Sequence, residues 1–350
     1  MPPAPENAPM ATPRVSVVMP VYNKAPFLKE AIDSILAQTF TDFEIVAVDD
    51  KSTDNSLEIL RSIQDPRMRV VALERNLGPA GAAQRAMDVA RGEYIVRQDA
   101  DDLMYPDRIE RQVAFMDANT DLGASGGQVT LFGAEDVEWR YPLTRDECRA
   151  QLLFGVPVPQ PGSILRTRLL REHGVRYQDH WPRIGEDWLF WTALGKHCAF
   201  ANIDPPVIRY RRGPQNISHG KDLAALRKGR VEIVLREFGL EPTEREVEMH
   251  LLAKRSFLRP PDRRTIQDYR TWLDKLKAHN NSAGLFPRKQ LVERIEQAWD
   301  ELYHQLPPFG SAPALEHMRI SGSYPLGRMM YLLKCRLNAL RQGGQRNMAA

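Results

Sequence analysis

Two acidic clusters carry most of the chemistry this sequence can offer. Asp99-Ala-Asp101-Asp102 follows the apolar run at 93–98, and Asp49-Asp50 closes the run at 43–49, with Lys51-Ser-Thr-Asp54 behind it. Like charges crowded this closely repel unless an opposite charge holds them together. A divalent cation does so while keeping coordination positions open for a diphosphate, and an Asp-x-Asp pair of oxygen donors suits a hard ion such as Mg²⁺ or Mn²⁺. The bland alternative is a solvated turn, where Asp is common. Two such clusters, each directly after a strand-like run, weigh against it.

For these residues to meet, strands must deliver them to a common rim. Arg14-Val-Ser-Val-Val-Met-Pro20 reads as a buried strand stopped by its proline. Leu28, Ala31, Ile32, Ile35 and Leu36 then recur at helical spacing. A second strand at 43–49 follows, and Asp54 can cap a helix carrying Leu57, Ile59, Leu60 and Ile63. A third strand (68–73), a third helix (80–90) and a fourth strand (93–98) continue the alternation. The pattern predicts an α/β fold: a mostly parallel, Rossmann-like sheet covered on both faces, whose ligands bind beyond the carboxyl ends of its strands. That rim holds Tyr22 and Asn23 from the first strand end, Asp50 from the second and Asp99 to Asp102 from the fourth. No Gly-rich phosphate cradle follows the first strand, which disfavours a nicotinamide enzyme and a nucleotidyltransferase.

Past Gly123 the alternation becomes irregular, with short strands at 126–132 and 207–210 and helices at 145–154 and 186–196. From about 222 the pattern is helical, over 222–238, 243–256, 262–278 and 287–305, with Pro-Pro breaks between. The expected organisation is a flexible leader at 1–13, a catalytic domain at 14–220 split into halves at 14–120 and 121–220, and a helical region at 221–350.

Composition sets the outer limits. The 350 residues carry 48 basic and 45 acidic side chains, a net charge of +3, which does not advertise a nucleic-acid binder. No apolar run approaches the ~20 residues of a membrane span. Three scattered cysteines make neither a disulfide framework nor a metal cage, and the Pro-rich leader is not a secretory signal. The expected location is cytoplasmic.

The motifs, in order, resemble glycosyltransferase family 2. They are Val17-Val-Met-Pro-Val-Tyr-Asn23, Ser34-Ile-Leu-Ala-Gln-Thr-Phe40, Phe43-Glu-Ile-Val-Ala-Val-Asp-Asp50, Asn76-Leu-Gly78, Ala90-Arg-Gly-Glu-Tyr-Ile95 and Asp99-Ala-Asp-Asp102 with Pro106 and Arg108. The resemblance is close over 14–115 and looser to about 220. It implies a GT-A fold and a metal-dependent, inverting transfer of sugar from a nucleotide-sugar, best guessed as a UDP-sugar, to a glycan or lipid-linked glycan, as in polysaccharide biosynthesis. It also implies that Pro20, Tyr22, Asn23, Asp50, Asn76, Gly78, Asp99 and Ala100 line the nucleotide pocket. Asp101 would be the direct ligand of Mn²⁺ or Mg²⁺, with Asp99 nearer the ribose or a metal-bound water. After Gly78, Ala82-Ala-Gln-Arg85 departs from the family's Ala-Arg-Asn.

The second half should supply the acceptor side. Ile184-Gly-Glu-Asp-Trp-Leu-Phe-Trp191 resembles the family's ED segment. Inverting transfer needs a carboxylate to take the acceptor proton, here Asp187 with Glu186 as fallback; both could instead merely favour a helix N-terminus. Trp181 in its loop is the better sugar-stacking candidate. Trp188 is the second, although its helical spacing with Trp191 fits a core position better. Tyr210-Arg-Arg-Gly-Pro-Gln-Asn-Ile-Ser-His219 resembles the segment that folds over the diphosphate, with Arg211 and Arg212 toward phosphate and His219 as a third metal ligand. The rival readings are a nucleotide-binding GT-A module without turnover, or a sugar nucleotidyltransferase.

Residues 319–350 hold six cations and no acid. Leu326, Met329, Met330, Leu333, Leu337 and Leu340 form one helical stripe beside Lys334, Arg336 and Arg341. Such a stripe over 326–341 fits either a helix packed on its domain or a peripheral contact with the inner face of a membrane.

Overall fold

The first strand, β1 (Val15–Val21), is buried along almost its whole length, as its β-branched density requires. It runs one residue past its expected stop. Pro20 is tolerated because β4 (Tyr94–Arg97) pairs with β1 only as far as Val18, so no neighbour on that side needs its missing N–H. Helix α1 (Ala25–Leu36) buries Leu28, Ala31, Ile32 and Ile35, the face given by their spacing. All seven residues of β2 (Phe43–Asp49) are buried, as expected of a central parallel strand. Helix α2 (Ser56–Ser62), strand β3 (Met68–Ala72) and helix α3 (Gly78–Val89) complete this half before β4. This computed structural model describes residues 12–178, 180–182, 185–213 and 223–348.

Strand β5 (Leu103–Met104), helix α4 (Arg108–Ala118), strands β6 (Leu122–Gly133) and β7 (Glu138–Trp139), helix α5 (Arg145–Leu152), strand β8 (Ile164–Arg166), helices α6 (Thr167–Glu172) and α7 (Glu186–Leu194) and strand β9 (Ala199–Arg212) follow. Among the described residues nine strands form one sheet, ordered β3-β2-β1-β4-β8-β6-β9-β5, with β7 added on β6. The β3-β2-β1-β4 half is parallel throughout. Beyond it β8 runs antiparallel to β4 and β6, and β5 antiparallel to β9. The sheet is therefore mixed, and parallel only in the half where helices alternate with strands.

The two short strands expected at 126–132 and 207–210 are the ends of the twelve-residue β6 and fourteen-residue β9. Gly127 belongs to β6 because a Cβ there would meet Val207 Cγ1 at 2.5 Å. Pro205-Pro206 sits in β9 where the register with β6 shifts, as prolines in sheets must.

Buried Glu44 ties three elements together. Ser16 Oγ donates to its Oε1 at 2.7 Å, and Arg69 and Arg91 reach Oε2 at 2.8 Å each. Burial pushes this carboxyl up, but the hydrogen bonds from Arg69, Arg91 and Ser16 outweigh it and hold the pKa below 4.5. A depressed folded-state pKa gives stability that is present above the unfolded value and lost as pH falls through the folded one. Glu44→Gln is expected to cost about 2–3 kcal/mol at neutral pH, since both arginines keep some solvent. Urea titrations of variant and wild type should draw together as pH falls below the unfolded value of 4.5 and through the lower folded one; equal stability at pH 7 would refute the assignment.

The chain divides into two units, Met1–Leu152 with Val156–His219 and Leu153–Gly155 with Gly220–Ala350. The second consists of helices α8 (Leu223–Glu237), α9 (Glu244–Leu252), α10 (Arg263–Ala283), α11 (Arg288–Tyr303), α12 (Ser311–Ile320) and α13 (Leu326–Met348). Capping boxes Thr243/Glu246 and Asp262/Thr265 start α9 and α10. Inside it Trp272 Nε1 donates to His250 Nδ1 at 3.2 Å, so His250 Nε2 carries the proton given to the Leu153 carbonyl at 2.9 Å. Burial lowers this imidazole to about 3, keeping it neutral.

Candidate active site

Strand ends of the first unit assemble the site. After β1, Asn23 adopts a left-handed φ of 51°, which Asn tolerates. Its Oδ1 accepts from Thr53 N at 2.8 Å, and Asp54 Oδ2 accepts from Ala25 N at 3.1 Å, so the loops after β1 and β2 are stitched together. The Tyr22 ring stands exposed at this rim. Asp49 holds its own turn by accepting from Ser52 N at 3.2 Å.

Buried Asp50 is fixed against the Asn76–Gly78 turn. Its Oδ1 accepts from Leu77 N at 2.6 Å, and Asn76 Nδ2 donates to the Asp50 carbonyl at 2.9 Å. Burial raises the Asp50 pKa, and the Leu77 and Gly78 N–H groups only partly offset it. Gly78 has φ +79° with open space around its Cα, so backbone strain rather than crowding excludes a side chain there.

The Asp99-Ala-Asp-Asp102 loop is held from behind by buried Arg108, which donates to Gln112 Oε1, Gln98 Oε1 and the Arg97 carbonyl at 3.0, 3.0 and 2.8 Å. Gln98 Nε2 donates in turn to the Asp102 carbonyl at 2.8 Å. Desolvation draws the Arg108 guanidinium down to about 9, against the opposing pull of Asp102 and Asp99. Asp101 Oδ2 pairs with Lys24 Nζ at 2.5 Å. Asp102 Oδ1 accepts from Arg211 N at 2.8 Å, while its Oδ2 is buried without a hydrogen-bond partner among the described residues. Asp99 and Asp102 are both pushed above the ordinary carboxylate range, first by burial. For Asp99 the Arg97 charge opposes that rise while Asp101 adds to it; for Asp102 both Asp99 and Asp101 add.

Asp187 and Glu186 open α7 behind Gly185, whose φ is 76°. Asp187 Oδ1 accepts from Trp188 N at 2.8 Å. Burial raises Asp99, Tyr141 and Tyr177, and the Asp187 charge adds a smaller push to each, so the two acidic segments lie in one neighbourhood. Glu186 lines a cavity of about 530 Å³ with Asn76, Leu77, Gln84, Arg85, Tyr177 and Trp181. The structure thus brings Asn76, Trp181 and Glu186 to one cavity.

One expectation requires correction. Trp188 is no acceptor platform: it is buried and donates Nε1 to the Leu152 carbonyl at 2.7 Å, a core position beside fully buried Trp191. Ala100 packs its methyl into the hydrophobic core and can offer a ligand only its backbone. Arg211 and Arg212 point to opposite faces, as successive residues of β9 do. Arg211 clamps the acidic loop, with Nε on the Asp101 carbonyl at 2.9 Å and Nη2 on Glu30 at 2.6 Å. Arg212 turns to Glu135 at 3.4 Å and the Trp139 ring. Pro20 remains in β1, paired with Val48. His219 lies outside the described residues.

Sequence reasoning assigned no role to Lys24, Arg97 or Tyr177. Arg97 is 5% exposed, sits 3.7 Å from Asp99 Oδ1, and has Nε and Nη1 without hydrogen-bond partners among the described residues. Tyr177 receives a hydrogen bond from Gln160 Nε2 and lies among the charges of Arg97, Glu186, Asp187 and Asp99. An arginine inside an otherwise apolar strand was the available signal.

Among the described residues no three potential ligands form a metal cage. The donor set nevertheless fits a phosphate-bridged Mg²⁺ or Mn²⁺, which needs only one or two protein carboxylates. Asp99 and Asp101 are hard oxygen donors, and Asp102 adds an uncompensated buried oxygen behind them.

The model of the family described as glycosyl transferase family 2 matches residues 16–174. An uncharacterized glycosyltransferase of Methanocaldococcus jannaschii is 40% identical over 217 residues, 58% of this chain and 72% of that protein. The succinoglycan biosynthesis protein ExoO of Rhizobium meliloti is 33% identical over 220 residues, 57% of this chain and 62% of ExoO. The chain thus spans less than two thirds of the length of relatives such as ExoO. Residues 1–349 of TarS from S. aureus, solved with UDP-GlcNAc, superpose with a TM-score of 0.56 at 17% identity over 89% of this chain and 93% of that one, which shows a shared fold. Motifs, sheet and sequence relatives agree: the chain belongs to glycosyl transferase family 2.

Proposed function

We propose that the first unit transfers a sugar, with inversion, from a nucleotide-sugar to a hydroxyl of a glycan or lipid-linked glycan. What supports this reading is that Asp50, Asp99 and Asp101 lie at the strand ends of one sheet, with Asp187 near enough for its charge to add, as the smallest contribution, to the rise of the Asp99 carboxyl. In this reading Tyr22 and the Asp50–Asn76–Gly78 turn receive the nucleoside. Asp101, with Asp99, holds a divalent cation, which when bound supplies Lewis-acid stabilisation of the departing diphosphate. Lys24, which pairs with Asp101, would offer its ammonium to a diphosphate held at that carboxylate. Asp187 accepts the acceptor proton, and Trp181 lies against the acceptor sugar.

The UDP-GlcNAc named with TarS and the succinoglycan named for ExoO support a UDP-sugar donor and a polysaccharide acceptor. The test is a panel of nucleotide-sugars screened for thermal stabilisation with and without Mn²⁺. A ligand at a hundred times its Kd should add about 2.7 kcal/mol, for a UDP-sugar and only with metal. No stabilisation by any nucleotide-sugar would end the proposal.

A further inference from the structure

Helix α13 is attached to the second unit by one side. Tyr303 OH donates to the Arg328 carbonyl, Arg328 Nη2 meets Asp300 at 3.0 Å, Tyr331 OH donates to the His304 carbonyl at 3.2 Å, and Leu332 is 8% exposed. The apolar stripe is on the other side. Leu326, Met330 and Leu333 are 73%, 62% and 60% exposed, and Met329 and Leu337 stand out with them. At 3.6 residues per turn, Leu326, Met330, Leu333 and Leu337 line one ridge, with Lys334 and Arg336 about 80° to either side of it. The helix is thus packed on its unit by the side opposite the stripe, and the stripe itself is exposed.

We infer that this ridge docks on an anionic phospholipid surface. Apolar side chains of this size enter the boundary between acyl chains and headgroups, while lysine and arginine on both edges reach lipid phosphates. Residues 319–350 contain six cations and no acid, and among the described residues the acids that reach this segment in ion pairs, Glu316 and Asp300, are matched by Arg319 and Arg328. A second copy of the chain fits worse, because face-to-face packing would set the cationic borders against each other. No helix among the described residues is long and apolar enough to cross a membrane, so the contact is interfacial. The inference does not rest on the proposed transferase reaction.

The test is co-sedimentation of the full chain with vesicles of phosphatidylcholine alone or mixed with phosphatidylglycerol, alongside light scattering without lipid. Wild type should bind the anionic vesicles and be washed off by salt. Lys334→Ala with Arg336→Ala should weaken binding roughly twenty-five-fold, at about fivefold per cation. Met330→Ser with Leu333→Ser should abolish it. All four side chains are exposed, so unchanged melting temperatures are expected. Absence of wild-type binding, undiminished binding by the serine variant, or a lipid-free dimer dispersed by the serine substitutions would each overturn the inference.

Discussion

Asp187→Asn is expected to bind donor as wild type does and to lose about 10²–10⁴-fold in kcat, the range of a removed general base. The substitution keeps a side-chain oxygen for the 2.8 Å bond from Trp188 N, so the start of α7 should persist and the loss should be chemical. Calorimetric titration with UDP-sugar and Mn²⁺ gives the binding half of this result. Release of nucleoside diphosphate gives the other half, and slow hydrolysis, in which water replaces the acceptor hydroxyl, makes it measurable with no acceptor in hand. A variant within a few-fold of wild-type turnover would transfer the role to Glu186, one residue earlier and facing the cavity; Glu186→Gln is the matched comparison.

Asp101→Ala should reduce the affinity for nucleotide in Mn²⁺ to the value wild type shows in chelator. Metal bridging accounts for several kcal/mol in such sites, so a loss of at least a hundredfold is expected. Because Asp101 also pairs with Lys24 in a mostly buried position, the variant strands an ammonium and should melt at a lower temperature. Lys24→Met together with Asp101→Ala removes that stranded charge: recovery of stability without recovery of metal-dependent binding separates the two effects. Undiminished dependence on Mn²⁺ in Asp101→Ala would refute its role as ligand.

What was legible in the sequence follows from how each element is stabilised. β1, β2 and α1 read correctly because burial imposes a pattern on them: continuous apolar runs in the strands, and Leu28, Ala31, Ile32 and Ile35 on one helix face. Asp50, Asp99 and Asp101 could be found because acids at the ends of buried strands have few bland explanations. β6 was read short because Gly123 looks like a breaker, whereas it admits Cys198 from across the sheet. Arg211 and Arg212 were read as equals because local sequence does not say which residue of a strand faces the site. Arg97 and Tyr177 were invisible as partners because their meeting depends on a mixed sheet that no local pattern encodes. For α13 the amphipathic stripe was plain, but which side meets the domain required the positions of Tyr303 and His304.

The anchoring of Trp188 to the Leu152 carbonyl has a corollary. Asp187 immediately precedes this residue and so inherits its position from the interior, whereas Trp181 belongs to a loop and meets Tyr177 edge-on. Substitutions in the loop that carries Trp181 are therefore expected to leave the position of Asp187 unchanged.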